Sequence, residues 1–169
     1  IFVGSTENFF YALNPKNGTE LWKWRTGGDV IGAAADEDFA YFLSLDNVIR
    51  AVNRSNGNQR WKATMPIRPV APPRITTGAV IVSGVPTQIY GYVSNTGLLQ
   101  GSYRPLAALQ EPLLIDQELQ PYRVAVFMLT RDGRITGLRP IKLMFYDPEL
   151  EPLSRLPGRF LRIERLASP

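Results

Sequence analysis

Asn8-Phe9-Phe10-Tyr11-Ala12-Leu13-Asn14-Pro15-Lys16-Asn17-Gly18 is followed 39 residues later by Asn47-Val48-Ile49-Arg50-Ala51-Val52-Asn53-Arg54-Ser55-Asn56-Gly57. In both copies a Trp stands four residues after the Gly, at Trp22 and Trp61, and a Lys follows it. A third copy, Ile89-Tyr90-Gly91-Tyr92-Val93-Ser94-Asn95-Thr96-Gly97, lies 40 residues further on, with Gly101 where the Trp would stand. A fourth is fainter: Asp132-Gly133-Arg134-Ile135-Thr136-Gly137-Leu138-Arg139-Pro140 aligns with Glu7 to Pro15. The small residue of each copy falls at Ala12, Ala51, Gly91 and Gly137, so the steps are 39, 40 and 46 residues.

Within each unit the local pattern is that of strands. Ile1–Gly4, Phe39–Leu45, Ala79–Ser83 and Val124–Leu129 are β-branched and aromatic runs of strand length. Between them Glu7-Asn8, Asp46-Asn47, Asn17-Gly18, Asn56-Gly57, Thr96-Gly97 and Asp132-Gly133 supply the positive φ that tight hairpins need. A unit of about forty residues made of short antiparallel strands cannot bury its own faces, and stacking such units is the signature of a propeller. The expected fold class is therefore all-β: a β-propeller of four-stranded antiparallel blades, with about three and a half to four blades present as part of a larger ring. The competing reading, a β-sandwich, shows regular turn spacing but seldom repeats a Trp at a fixed offset from Asn-Gly.

Ala12-x-Asn14-x-x-Asn17-Gly18-x-x-x-Trp22 and Ala51-x-Asn53-x-x-Asn56-Gly57-x-x-x-Trp61 resemble the pyrroloquinoline-quinone-type (PQQ-like) β-propeller repeat, roughly Ala-x-Asp-x-x-Thr-Gly-x-x-x-Trp, with Asn for Asp and Asn for Thr. The third copy keeps only Thr96-Gly97, and the fourth only its strand and turn. The resemblance implies that Ala12, Gly18, Trp22, Ala51, Gly57, Trp61, Gly91, Gly97 and Gly137 are structural repeat positions, with the Trp buried between adjacent blades against the Gly turn. The physics agrees, since a large buried ring brings about 1.5–3 kcal/mol and fixes the spacing of its neighbours.

The family closes its ring with about eight blades, and a propeller needs four to eight. Half a ring would expose blade faces and strand edges, which soluble proteins avoid. The chain, which starts in mid-strand at Ile1 without a Met, is therefore expected to be the C-terminal part of a longer polypeptide or to be completed by another chain. A true four-bladed propeller whose tail supplies the missing strands is the alternative. The expected organisation is blades over 1–147, in units 1–28, 29–65, 66–105 and 106–147 with an insertion near 104–121, followed by a Pro-rich basic tail over 148–169. Pro66-Ile67-Arg68-Pro69-Val70-Ala71-Pro72-Pro73 reads as an extended crossing without a regular ladder, Ile141–Tyr146 as one more strand, and Phe160–Leu166 as the tail's only candidate strand.

Composition bounds the chemistry. The 169 residues are 44% hydrophobic and 20% charged, which is globular, and no apolar run approaches the length of a membrane span. With no Cys and no His, the chain lacks thiolate nucleophiles, disulfides, the commonest metal ligand and the usual neutral-pH base. Residues 1–120 carry ten basic and ten acidic side chains, so the net charge of +4 comes from residues 121–169, with nine basic and five acidic. Arg155, Arg159, Arg162 and Arg165 cluster there beside Leu156, Phe160, Leu161 and Ile163, an apolar anchor with a charged rim. Arg155, Arg159, Phe160, Arg162 and Arg165 are the candidate partner-binding residues, in competition with a solvated chain end.

The family resemblance raises quinone-dependent dehydrogenases, whose cofactor lies on the ring axis with calcium, carboxylates and often a vicinal Cys pair. Asp36-Glu37-Asp38 is the densest acidic group here, but it lacks the alternating donors and Gly of a calcium loop and sits where a hairpin turn belongs. No catalytic, cofactor-binding or metal residue is assigned, and no cofactor is expected. One aromatic among the tail arginines is too few for a nucleic-acid stacking platform, so no nucleic acid is expected. Two sequons, Asn17-Gly18-Thr19 and Asn53-Arg54-Ser55, fall inside the repeat motif as its by-products.

The reading is a non-catalytic β-propeller scaffold for protein–protein interaction. It resembles those family members that serve outer-membrane β-barrel assembly in bacteria: periplasmic or otherwise extracytoplasmic, with other protein subunits as partners and an anionic membrane surface as a further contact. The alternatives are a small-ligand or sensor propeller and, behind it, a quinone-dependent dehydrogenase fragment.

Overall fold

In the computed structural model, residues 1–76, 78–110, 113–116 and 125–138 are described. They form antiparallel sheets stacked in chain order. The first sheet holds β1 (Phe2–Gly4), β2 (Phe9–Leu13) and β3 (Glu20–Arg25). The second holds β4 (Val30–Ala35), β5 (Phe39–Ser44), β6 (Val48–Asn53) and β7 (Gln59–Thr64). In the third, β10 (Ala79–Val85), β11 (Gln88–Val93) and β12 (Leu99–Tyr103) follow the short strands β8 (Arg68–Pro69) and β9 (Arg74–Thr76), and in the fourth β13 (Leu114–Asp116) pairs with β14 (Ala125–Leu129) and β14 with β15 (Ile135–Leu138). Within each sheet every strand pairs with the next in sequence, as hairpin turns dictate, apart from the split opening of the third sheet. β1 approaches β4, and β4 and β13 approach β9, so these strands line the inner side of the stack.

Two stretches differ from the sequence expectation. Arg68–Pro69 does form a ladder, pairing with Val85 and Gly84, and β9 pairs with the start of the same strand β10. The prolines are tolerated because β8 and β9 lie on the sheet edge, where a missing N–H costs no ladder bond, and they interrupt one inner strand into two. Within the expected insertion, Leu114–Asp116 pairs with Ala125–Phe127 and opens the fourth sheet. Ile141–Tyr146 and the whole 148–169 tail, with Phe160–Leu166, lie outside the described residues.

Burial follows the two-residue period of a strand. In β5, Ala40 and Phe42 point toward the first sheet, and Tyr41 and Leu43 toward the third, and all four have no exposed surface. That is why Phe39–Ser44 reads as a continuous apolar run and not an alternating one. Three apolar clusters fill the three gaps between sheets: Phe10, Phe42 and Val52 in the first, Leu43, Ile49, Trp61, Val80 and Tyr92 in the second, Ile89, Leu113, Val126 and Met128 in the third. Phe10 and Phe42 stack across the first gap with ring centroids 4.1 Å apart.

Candidate functional site

The repeated motif builds one junction more than once. Gly18, Gly57 and Gly97 have φ of 73°, 73° and 71°, the left-handed conformation that a side chain resists. Each closes the hairpin into the last strand of its sheet by donating its N–H to the carbonyl four residues back, Asn14, Asn53 or Val93, at 2.8–2.9 Å. Asn14 and Asn53 accept from the backbone N–H two residues on, at Lys16 and Ser55, and Asn17 and Asn56 do the same for Thr19 and Asn58. Asn thus serves where the family pattern has Asp or Thr, because an amide oxygen accepts the same turn bond.

Trp22, in β3, lies over Gly57 of the second sheet and donates its indole N–H to the Arg54 carbonyl at 3.0 Å. Trp61, in β7, lies over Gly97 of the third sheet and donates to the Ser94 carbonyl at 2.6 Å. In each case the accepting carbonyl is three residues before the Gly. Trp61 is buried, whereas Trp22 is only partly so, resting on Phe2 and Phe10. Beside it Trp24, which the motif does not contain, donates to the Gly57 carbonyl. Ala12 and Ala51 sit directly across the ladder from Trp22 and Trp61, and all three equivalent ladders slip at this point, between Ala12 and Leu13, Ala51 and Val52, Gly91 and Tyr92. The small residue leaves room for the indole. In the third sheet Gly91 faces Gly101, so both members of the pair have shrunk, and the gap beyond is filled by Ile89, Leu113 and Met128. Gly137 lies in β15 opposite Phe127.

Charged groups that sequence reading left out of the motif hold the connections. Asp46, in the turn between β5 and β6, accepts from Ser44 Oγ at 2.6 Å, Arg50 Nη2 at 2.7 Å, Val48 N at 3.1 Å and Gly27 N at 3.1 Å. The last bond reaches across to the crossing between the first two sheets. Burial pushes the Asp46 carboxyl up, but the hydrogen bonds from Arg50 and Ser44, the Arg50 charge and the Gly27 N–H outweigh it and hold the group at about 2. The available signal was the Asp-Asn turn with an Arg four residues on, on the same face of the following strand. At the other end of the second sheet, Asp36 caps its own turn by accepting from Asp38 N and Phe39 N and takes the Tyr41 hydroxyl at 2.6 Å, while Arg54 donates to the Asp36 carbonyl. Asp36-Glu37-Asp38 is therefore the hairpin turn between β4 and β5. Burial, then the bond to Asp36, push the Tyr41 phenol well above its ordinary range, and burial with Tyr90 nearby pushes Tyr92 up to about 12. Asp46 and the Tyr41 hydroxyl are thus held by structural bonds, and the directions of these shifts keep Asp46 ionised and Tyr41 and Tyr92 neutral near neutral pH. Among the described residues no group of three or more potential ligands is placed to hold a metal ion.

Arg155, Arg159, Phe160, Arg162 and Arg165 lie outside the described residues. Within the described ones, Leu98 and Leu99 are 67% and 56% exposed beside Gly97, at positions that carry Thr19-Glu20 and Asn58-Gln59 in the other units.

Stacked antiparallel sheets of one repeat, locked by a Trp on each of two glycine turns, define a β-propeller of PQQ-like repeats. Residues 1–142 match the family described as Outer membrane protein assembly factor BamB, and the chain belongs to that family. It is 25% identical over 149 residues to the Yersinia pestis assembly factor BamB, covering 82% of this chain and 38% of that protein. It is 25% identical over 105 residues to the Burkholderia pseudomallei BamB, covering 62% of this chain and 27% of the relative. The chain thus spans well under half the length of the curated relatives it matches. In fold it is similar to the crystal structure of BamB from Moraxella catarrhalis, with a TM-score of 0.67 at 19% identity over 82% of this chain and 42% of that one. A europium-containing methanol dehydrogenase shares the fold, with a TM-score of 0.53 over 66% of this chain and 23% of the enzyme.

Proposed function

We propose that the chain forms part of a non-catalytic propeller scaffold, an accessory subunit of a membrane-associated outer-membrane protein assembly complex on the periplasmic side. The observation that carries this reading is the family match over residues 1–142. Its partners are other protein subunits, engaged through the loops and blade edges that propellers present. The Arg155, Arg159, Phe160, Arg162 and Arg165 segment is read as a docking arm whose cations also suit anionic headgroups, each worth about 1 kcal/mol near such a surface. Deleting the gene that encodes the chain should lower the amount of β-barrel protein in the outer membrane of its host. Unchanged β-barrel content would overturn the role.

The dehydrogenase reading shares the fold but makes a different forecast. Pyrroloquinoline quinone added with calcium to the purified protein should change neither its absorbance nor dye reduction. A stoichiometric bound quinone would refute the non-catalytic reading.

A further inference from the structure

β3, β7 and β12 are the outer strands of the first three sheets, and among the described residues nothing pairs with their far sides. Such an edge presents a row of unpaired N–H and C=O groups, which proteins guard with charged side chains. β3 carries Glu20, Lys23 and Arg25, and β7 carries Arg60 and Lys62, all exposed. β12, Leu99-Gln100-Gly101-Ser102-Tyr103, carries none. The difference extends beyond the edge: residues 75–103, which hold all of β10, β11 and β12, contain no Asp, Glu, Lys or Arg. In place of charge, the β12 edge opens on Leu98 and Leu99, 67% and 56% exposed, where the other units have Thr19-Glu20 and Asn58-Gln59.

The chain holds a strand suited to that edge. Phe160-Leu161-Arg162-Ile163-Glu164-Arg165-Leu166 has the composition of a strand and, lying between Pro157 and Pro169, a backbone N–H at every residue. It stands beyond the family match over residues 1–142 and outside the described residues, so no blade motif claims it. Charge selects among the edges. With Arg159, Arg162 and Arg165 against the single Glu164, the segment is cationic. On β3 it would meet Lys23 and Arg25, and on β7 Arg60 and Lys62, and like charges across a strand pair are destabilising. β12 sets no charge against it. The inner edge of β1 offers three residues where β12 offers five, and the edge of β15 is expected to be taken by Ile141–Tyr146, the next strand in sequence. Residues 139–159 join the segment to the end of β15 and span up to about 70 Å when extended, far more than the step from one sheet to the next.

We propose that the outer edge of β12 is the docking site of the chain's own Phe160–Leu166 segment, which adds to the third sheet as a further outer strand and covers Leu98 and Leu99. For the arm to engage a partner subunit it has to leave this edge, so the contact restrains it in the free chain. That consequence rests on the reading of the arm as a partner contact, whereas the docking itself does not.

Because the chain has no Cys, a single introduced Cys takes a spin label without competition. By NMR of the full chain, a label at Ser102→Cys, on β12, is expected to broaden the amide signals of residues 160–166, and one at Lys23→Cys, on β3, to leave them sharp. In the unlabelled chain these amides are expected to exchange about tenfold or more slowly than those of an unstructured peptide. Leu99→Lys together with Ser102→Lys gives β12 the charge that guards the other edges. It should return residues 160–166 to the free exchange rate while the blades keep their unfolding midpoint, and Gln59→Lys on β7 should leave the protection intact. Free-rate exchange in the unaltered chain overturns the proposal, as does protection that survives the two lysines. Broadening from a label at Val3→Cys but not at Ser102→Cys would put the segment on β1 and overturn it as well. Mixing spin-labelled chains with unlabelled, isotopically enriched ones checks a second copy as the occupant: broadening between chains would mean that the tail of another copy holds the edge, and the contact within one chain would fall.

Discussion

A glycine at the repeat turn answers two separate demands, and the three turns separate them. At Gly18 only the positive φ resists a side chain, since nothing lies near its Cβ position. At Gly57 a Cβ would stand 2.8 Å from Trp22 Cδ2, and at Gly97 it would press still closer on Trp61. Gly18→Ala in this chain should therefore cost only the left-handed penalty, about 1–2 kcal/mol. Gly57→Ala and Gly97→Ala should cost about 1–3 kcal/mol more through overpacking, read as shifts in the urea midpoint at unchanged m. The indoles themselves should rank likewise. Trp61→Ala empties a buried site and is expected to lose about 3–5 kcal/mol, whereas Trp22→Ala, at a partly exposed ring, should lose about 2 kcal/mol. Equal losses would mean that exposure does not set the worth of the repeat Trp.

At the level of elements, the crossing segment between the first two sheets is tied down by a carboxylate, in addition to the apolar cluster that fills the gap between them. The Asp46 pKa, held at about 2, lies below its unfolded value near ~3.9. A depressed carboxyl adds stability that is fully present above the unfolded pKa and is lost as pH falls through the folded one. Unfolding free energy should thus decline between about pH 4 and pH 2 from this group, on top of the general acid response. Asp46→Asn should lose about 2 kcal/mol at neutral pH, by removing a charged acceptor from Arg50, Ser44 and the Gly27 N–H, and should flatten that acid limb. A variant with an unchanged pH profile would show that the Asp46 bonds do not link the sheets. The short strands β8 and β9 teach a related point. A Pro-rich run is compatible with a sheet when its partner strand needs no donor from it, and the inner edge beside β10 offers that place.

For the whole molecule, the apolar clusters show why this architecture tolerates divergence of its motif. Each gap between sheets has its own core, so the loss of the Trp at Gly101 is absorbed locally by Ile89, Leu113, Val126 and Met128. Repeat stacks add stability by neighbour interfaces, and one weakened motif lowers one interface without cancelling the others. The proposed docking arm lies outside the repeated positions. Deleting residues 148–169 should weaken association with partner subunits more than it lowers the unfolding midpoint of the blades. Hydrogen exchange in the assembled state checks the docking arm directly: fast exchange throughout residues 155–166 would leave it a frayed end.

The sequence by itself determined the repeat period, the all-β class and the hairpin turns. Asn-Gly four residues before Trp is a local pattern, and local turn chemistry fixes φ before any tertiary contact forms. It also pointed to Trp22 and Trp61 as equivalent, because a repeated large ring has to meet a repeated surface. Only the tertiary structure decided that Trp22 is less buried than Trp61, that Asp46 reaches back to Gly27 from a different sheet, and that Gly57 and Gly97 are each covered by an indole from the preceding sheet. Those properties belong to pairs of residues brought together from separate units. A periodic sequence says that two sites have the same shape, and only the stacking of one unit on the next says which of them has a neighbour.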